Sequence, residues 1–161
     1  MRALNWNAHK QKTITRSAVS IVMTNFQIKT KEGHLIRFHT YPDALRTGQA
    51  FLNALPFSAV FYHARVSGEE IWISDAPVLD IPQENCSIFA EPGEVVIGVK
   101  NPARNKVAGC MGIFYGKGQL LDCCNIFGRV FDEDLPALKL LGDKIWKEGG
   151  QELRFENLGA G

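Results

Sequence analysis

The sequence predicts a mainly β fold, a closed antiparallel β-barrel with two helices covering its ends. About eight to ten short runs have the β-branched and aromatic content, or the alternation, that is typical of strands. Two longer stretches instead have apolar residues at helical spacing. Strands and helices do not alternate along the chain, and no internal repeat is present. A parallel sheet would need that alternation, so the strands are expected to pair antiparallel.

The two predicted helices have recognisable ends. The first begins after Thr40, which can cap it, has Pro42 in its opening turn, and ends at Pro56. The second begins with the acidic run 132–134, which suits the positive end of the helix dipole, and ends at the glycine pair 149–150. The predicted inward stripes are Leu45, Phe51, Leu52 and Leu55 in the first helix, and Leu135, Leu138, Leu141 and Ile145 in the second.

The predicted strands are short, and Gly, Pro and Asn separate them. Glycines on either side of Lys117 predict a turn, and the stretch 74–88 is predicted to be irregular. Strands are predicted at 26–30, 34–40, 61–66, 69–73, 95–99, 107–115, 119–121, 125–130 and 151–156.

The chain has 161 residues, which suits one domain, and that domain is predicted to occupy residues 23–158. Residues 1–22 differ in composition, since no acidic residue precedes Glu32. They also lack the apolar stretch of about 7–15 residues found in a secretory signal. We expect residues 1–22 to be a loosely attached N-terminal extension. The alternative is that residues 14–22 form a strand of their own.

Composition argues against several classes of partner. The formal net charge is +1, which gives no electrostatic case for nucleic acid or an anionic membrane. No apolar run approaches the roughly 20 residues needed to span a bilayer. The chain has four cysteines, without a CxxC pair or a His at zinc-like spacing, so neither a metal nor another cofactor is expected. Free thiols and a cytoplasmic location are the simplest interpretation, and strand alternation would turn one of Cys123 and Cys124 inward.

One predicted hairpin, residues 61–73, carries the densest group of reactive side chains. A two-residue Ser-Gly turn at 67–68 sets its pairing, and directly opposed residues share a face. The predicted core face carries Tyr62, Ala64, Val66, Ile71 and Ile73. The predicted polar face carries His63 opposite Trp72, and Arg65 opposite Glu70. A longer turn would shift this pairing by one residue and exchange the faces.

The polar face predicts a small-molecule site for a polar or anionic ligand, such as a carboxylate or an amide. Arg65 would hold the ligand oxygen in its guanidinium fork and His63 is the candidate acid or base, so these two are the predicted catalytic residues. The predicted ligand-binding residues are Glu70, Trp72, Tyr115 and Asn125. The plainer alternatives are an exposed Arg65–Glu70 ion pair and a buried histidine that is hydrogen-bonded to the backbone.

The order of these elements resembles that of the cyclophilins. The matching pieces are 41–51, His63 with Arg65, Ser67-Gly68, Glu91-Pro92-Gly93, 112–115, 126–130 and the helix 135–142. The chain resembles more closely still a bacterial cyclophilin-like family of unknown function. That likeness rests on His63 to Trp72, Glu84-Asn85, Pro92-Gly93, Tyr115-Gly116, Asn125 with Phe127, and Trp146 to Gly149. The resemblance implies a cyclophilin-like barrel and no established activity.

Cyclophilins also suggest an activity to weigh. In them an Arg on the first hairpin strand polarises the prolyl amide, and a Pro-Gly-Phe-Met-x-Gln run builds an apolar proline pocket. Here Arg65 matches the Arg, but Glu69, Glu70 and Trp72 replace Phe, Met and Gln. A proline ring gains little beside a carboxylate, so residual prolyl isomerase activity is only an alternative. A further alternative is a non-enzymatic module whose hairpin face, with Trp72 and Arg65, forms a homo-oligomer interface.

Overall fold

The structure is a computed structural model that describes residues 25–100 and 105–158. The predicted N-terminal extension, residues 1–22, lies outside the described residues. The elements within them are β1 (Asn25–Thr30), β2 (Leu35–Thr40), α1 (Leu45–Asn53), β3 (Phe57–His63), β4 (Gly68–Ile73), β5 (Cys86–Ala90), β6 (Glu94–Ile97), β7 (Met111–Val130), α2 (Leu135–Glu148) and β8 (Gln151–Asn157). A short 3₁₀ turn precedes each helix, at Pro42–Ala44 and at Asp132–Asp134.

The strand pairings are antiparallel and close into a ring of hydrogen bonds. The order around the ring is β2-β1-β8-β3-β4-β7, and β7 returns to β2 by pairing Val130 with Phe38. β5 pairs with β7 outside this ring, and β6 pairs with both arms of β7. The predicted mainly β, antiparallel fold with two helices is therefore confirmed.

Strand β7 runs unbroken for 20 residues, so the turn predicted around Lys117 is wrong. Its glycines serve close contacts between strands instead. A Cβ on Gly116 would collide with the Glu69 carboxylate, and a Cβ on Gly118 would collide with the Ser67 carbonyl oxygen. A glycine inside a strand can indicate a turn, or a place where a neighbouring strand comes close to the backbone. The glycines of β7 are of the second kind.

Both helices bury an apolar stripe. In α1 Phe51 and Leu52 are buried, but Leu45 is 59% exposed. The helix begins only at Leu45, and Ala44 of the preceding 3₁₀ turn is the buried residue there instead. The predicted stripe of α2 is buried at Leu138, Leu141 and Ile145. Neither helix in the described part of the chain is long and apolar enough to cross a membrane.

Phenylalanine rings from several elements form the centre of the core. Phe26 of β1 stacks on Phe38 of β2, with ring centroids 5.0 Å apart. Phe51 of α1 packs against Phe26 at 5.0 Å and against Phe127 of β7 at 4.9 Å. All four rings are fully buried, and each such burial contributes about 1.5–3 kcal/mol. This core fixes α1 and β7 against the first hairpin.

Two of the four cysteines form a disulfide, so the prediction of free thiols is wrong for them. Cys86 is bonded to Cys123, with their Cα atoms 5.6 Å apart. The pairing was hidden in the sequence because Cys86 lies on β5, which was predicted to be part of an irregular stretch. That strand pairs with β7 and sets Cys86 opposite Asn125. Cys124 is buried, as the predicted alternation with Cys123 requires.

Candidate functional site

The β3–β4 hairpin has a longer connection than the sequence predicts. Residues 64–67 join the strands, and the register pairs Tyr62 with Trp72 and His63 with Ile71. The predicted pairing of His63 with Trp72 is therefore wrong by one residue. Since opposed residues share a face, His63 and Trp72 lie on opposite faces of the hairpin.

The predicted turn residues, Ser67 and Gly68, instead pair with strand β7. The Ser67 carbonyl accepts a hydrogen bond from the Gln119 N–H at 2.9 Å. Gly68, at φ +103°, is already paired with Gly118 of β7. A two-residue turn at these positions cannot coexist with that ladder, so the chain reverses earlier. The Ala64 N–H closes the hairpin by donating to the Glu70 carbonyl at 2.9 Å.

A cavity of about 720 Å³ is lined by the hairpin together with parts of β6, β7 and α2. Its walls are mainly apolar, with Val66, Val96, Val107, Met111, Leu120 and Trp146 among the lining residues. Polar groups also line it, and they include His63, Arg65, Ser67, Glu70, Ser74 and Lys106. Trp72 lines it as well. The structure therefore brings four of the six predicted site residues to one cavity: His63, Arg65, Glu70 and Trp72.

Glu70 is the most deeply buried acidic side chain on the cavity lining, at 6% exposure. The Ser67 hydroxyl donates a hydrogen bond to its Oε2. No group among the described residues donates to Oε1, yet no fully buried side-chain oxygen or nitrogen among them lacks a partner. Oε1 therefore keeps some accessible surface, and Glu70 is one of the residues that line the cavity. Burial raises the pKa of Glu70 from 4.5 to about 7, and the Ser67 hydrogen bond only partly opposes this.

Arg65 is exposed in the hairpin connection, on the lining of the cavity. The ion pair with Glu70 that a two-residue turn would favour is not formed, and Arg65 has no ion pair with any described residue. Lys106 also lines the cavity and is exposed. Positive charge therefore lies at the exposed part of the cavity and a carboxyl group at its buried part.

Both nitrogens of His63 have partners inside the protein. Nδ1 lies 2.8 Å from the Ala64 carbonyl oxygen, and Nε2 lies 2.6 Å from the Tyr115 hydroxyl. A carbonyl oxygen only accepts, so Nδ1 carries a proton, and in the neutral tautomer Nε2 accepts from the Tyr115 hydroxyl. The Trp146 ring packs against the imidazole with centroids 4.6 Å apart. This geometry is the backbone-bonded histidine of the plainer interpretation.

Tyr115 and Asn125 are not brought to the cavity lining. Tyr115 is 8% exposed, and burial is the main cause that raises its pKa. Asn125 is fully buried, and its amide donates to Thr47 Oγ1 at 2.9 Å and to the Pro82 carbonyl at 2.8 Å. Its Oδ1 accepts from the Glu84 N–H at 3.0 Å. This network joins β7 to α1 and leaves no hydrogen-bonding group of Asn125 free for a ligand.

Sequence reasoning missed several cavity residues. Cys110 and Cys124 line it as free cysteines, and burial, with a smaller effect of the nearby Glu70 charge, raises the pKa of both thiols, to about 12 for Cys124. Gly112 lies beneath the Glu70 carboxylate, where a Cβ could not fit. A glycine within a predicted strand was the available signal for Gly112. Among the described residues, no three His, Cys, Asp or Glu side chains group as a metal site.

The fold and the cavity together define the class of protein. It is a small, mainly β protein with an antiparallel ring of strands and the buried Glu70 carboxyl group on its β3–β4 hairpin. Residues 37–157 match the family model described as a protein of unknown function, DUF3830, and the chain belongs to that family. No curated protein matches the chain.

Two solved structures share the fold. McbB, solved in complex with tryptophan, has a TM-score of 0.63 and 18% identity, and the match covers 84% of this chain. The chain spans only 45% of the length of McbB. The hypothetical protein AF2241 from Archaeoglobus fulgidus, solved in solution, has a TM-score of 0.55 and 17% identity, with 84% of this chain and 95% of that one covered. At such identities the likeness concerns the fold alone.

Proposed function

We propose that this protein binds a small amphipathic molecule in the hairpin cavity, with the ligand's carboxylate or amide oxygen held by Arg65. The observation that carries the proposal is an exposed, unpaired guanidinium on the lining of a mainly apolar cavity of about 720 Å³. That volume is within the range of about 300–1,000 Å³ that small-molecule sites occupy. Arg forms a planar fork that suits a carboxylate or an amide oxygen.

The walls support an apolar body for this ligand. Val96 and Leu120 are almost fully buried, and Trp72 is partly buried, so each presents apolar surface to the cavity. Burying apolar ligand surface there contributes about 25 cal/mol for each Å² removed from water. A purely ionic ligand would leave these walls unused. The proposed ligand is therefore an apolar molecule with one polar end, rather than a small inorganic anion.

The ring of pairings also supports a closed, cyclophilin-like barrel of the kind the sequence resemblance implies. In this proposal the β3–β4 hairpin takes the place of the cyclophilin catalytic hairpin, with its Arg retained. Nothing observed favours residual prolyl isomerase activity or an oligomer interface over ligand binding. Trp72, the anchor suggested for an interface, lines the cavity.

A thermal-shift comparison tests the proposal. The probes are 4-phenylbutanoate, 4-phenylbutanamide and tryptophan, the last because the similarly folded McbB was solved with it. At least one probe is expected to raise the melting temperature of the wild type by several degrees, and Arg65→Ala to lose most of that rise. Arg46→Ala is the matched control, because Arg46 is an exposed arginine on α1 away from the cavity. Equal shifts in the wild type and Arg65→Ala would contradict the proposal.

A further inference from the structure

We propose that the buried end of the cavity binds a protonated amine, with Glu70 Oε1 as its anchor. This inference rests on the proposed function and names the chemistry of the ligand's inner end. The site is built from one carboxyl group that is 6% exposed, one serine hydroxyl that holds it, and one glycine that makes room for it. The ligand class is an amine with an apolar body.

The carboxylate is held in one orientation. Ser67, itself 7% exposed, donates to Oε2, and Oε1 is the carboxylate oxygen that lies against Gly112. Gly112 lies on the adjacent strand, and the Glu70 carboxylate occupies the space that a Cβ would need there. No donor from the described residues reaches Oε1. The described part of the chain thus holds this oxygen in place and supplies no donor to it.

Among residues 25–100 and 105–158, no cation is paired with Glu70. The groups that influence Glu70 or line its cavity are the Ser67 hydroxyl, the thiols of Cys110 and Cys124, the His63 ring, and the side chains of Arg65 and Lys106. Neither cation forms an ion pair with Glu70. A buried carboxylate is costly unless it is paired, so a ligand cation at Oε1 is the arrangement that favours its ionised form.

A carboxyl group that has no charged partner among the described residues could also stay protonated and donate to a ligand oxygen. The amine is favoured because the exposed arginine and lysine already suit an oxygen-bearing end of the ligand. A ligand with acceptor groups alone would have no donor for Glu70 Oε1. The cavity lining carries both exposed cations and a buried carboxyl group, and an amine that also bears a carboxylate or an amide complements both.

The pH dependence of binding separates these two possibilities. Burial raises the pKa of Glu70 to about 7, and the raised pKa values of the Cys110 and Cys124 thiols keep both neutral near that pH. Between pH 6 and pH 8 Glu70 loses its proton while an alkylamine keeps its own. Amine affinity should therefore rise across this range, whereas affinity for an acceptor bound by the protonated acid should fall.

Isothermal titration with 4-phenylbutylamine and 4-phenylbutanol tests the inference, since the pair differs in the charged end alone. At pH 8 the amine is expected to bind the wild type about tenfold more tightly than the alcohol, the scale of one charge-assisted contact. In Glu70→Gln the amine should lose its advantage, so that the two affinities become equal. If Glu70→Gln does not fold, the wild type alone decides: the ratio of amine to alcohol affinity must rise from pH 6 to pH 8.

Three results would overturn the inference. One is an amine that binds no better than the alcohol, and another is an amine advantage that survives in Glu70→Gln. The third is a ratio that stays flat or falls as pH rises. Binding of the alcohol without an amine advantage defeats this inference and leaves the proposed function standing. If no probe binds, including 4-phenylbutanoate, the proposed function fails as well.

Discussion

The Glu70 carboxylate lies directly over Gly112, so that a Cβ on Gly112 would stand 2.8 Å from Glu70 Cδ. The two residues belong to adjacent strands, β4 and β7, with Gly112 paired opposite Trp72. This contact explains how a carboxyl group can be 6% exposed without displacing the strand behind it. It also makes the cavity depend on a residue that has no side chain.

Replacing Gly112 tests this contact. Gly112→Ala should force the carboxylate away and destabilise the fold by about 1–3 kcal/mol, the usual range for overpacking a buried site. Urea unfolding measures the change. In a Glu70→Ala background the same substitution should cost clearly less, because the obstructing carboxylate is gone. Equal costs in both backgrounds would show that the strain lies elsewhere in β7.

Stability should depend on pH through Glu70. Its pKa is 4.5 in an unfolded chain and about 7 in the fold, so the folded state binds more protons between those values. The stabilising contribution of protonated Glu70 is complete below pH 4.5 and is lost as pH rises through 7. Urea unfolding of the wild type and of Glu70→Gln at pH 5 and pH 8 measures it.

Between pH 5 and pH 8 the free energy of unfolding of the wild type should fall by about 1–3 kcal/mol more than that of Glu70→Gln. This range lies below the full value that the pKa shift implies. Other titrating groups contribute equally to both proteins and cancel. A wild type and variant with parallel pH profiles would mean that Glu70 has an ordinary pKa and is not desolvated.

The Tyr115–His63 hydrogen bond should contribute to stability. Tyr115→Phe removes the donor to His63 Nε2, and losing one partner of a half-buried hydrogen bond costs about 1–2 kcal/mol. Tyr62→Phe is the control, because Tyr62 is 57% exposed. Thermal unfolding should show a lower melting temperature for the first variant and little change for the second. A similar loss in both would show that the effect is not specific to the hydrogen bond with His63.

The buried amide of Asn125 should matter for the fold and leave the cavity intact. Asn125→Ala would remove the donor to Thr47 Oγ1, the donor to the Pro82 carbonyl and the acceptor of the Glu84 N–H, at a cost of about 2–4 kcal/mol. Asn53→Ala is the control, since its bond to Gln49 is exposed. Unfolding measures the cost, and probe affinity in the folded variant should stay unchanged. A selective loss of affinity would place Asn125 in the ligand site after all.

Much of the fold could be predicted, because local patterns determine it. Period-2 alternation gave β1, β2 and β8, and helical spacing with clear ends gave α1 and α2. Strand β5 was missed because apolar and polar residues do not alternate along it. Its adjacent apolar residues Ile88 and Phe89 are both exposed in the structure. The Cys86–Cys123 disulfide was missed with it, since its position depends on the pairing of β5 with β7.

Part of the cavity lining could be predicted from the sequence, but its geometry could not. Residue types alone marked the hairpin, and four of the six predicted site residues line the cavity. The pairing was wrong by one because Ser67 is committed to β7 through Gln119, a contact 52 residues distant that no local turn rule includes. The partner of His63 was missed for the same reason, since Tyr115 is brought to it only by the sheet.

The most direct test of the central claim is a titration of 4-phenylbutanoate followed by amide and indole chemical shifts in ¹H–¹⁵N NMR spectra. Ligand binding in the hairpin cavity predicts saturable shifts at the Trp72 indole N–H and at the amides of Glu70, Gly112 and Leu120, all of which line the cavity. The same shifts should be weaker in Arg65→Ala. Saturable shifts confined to other parts of the chain, or no shifts at millimolar ligand, would contradict the account.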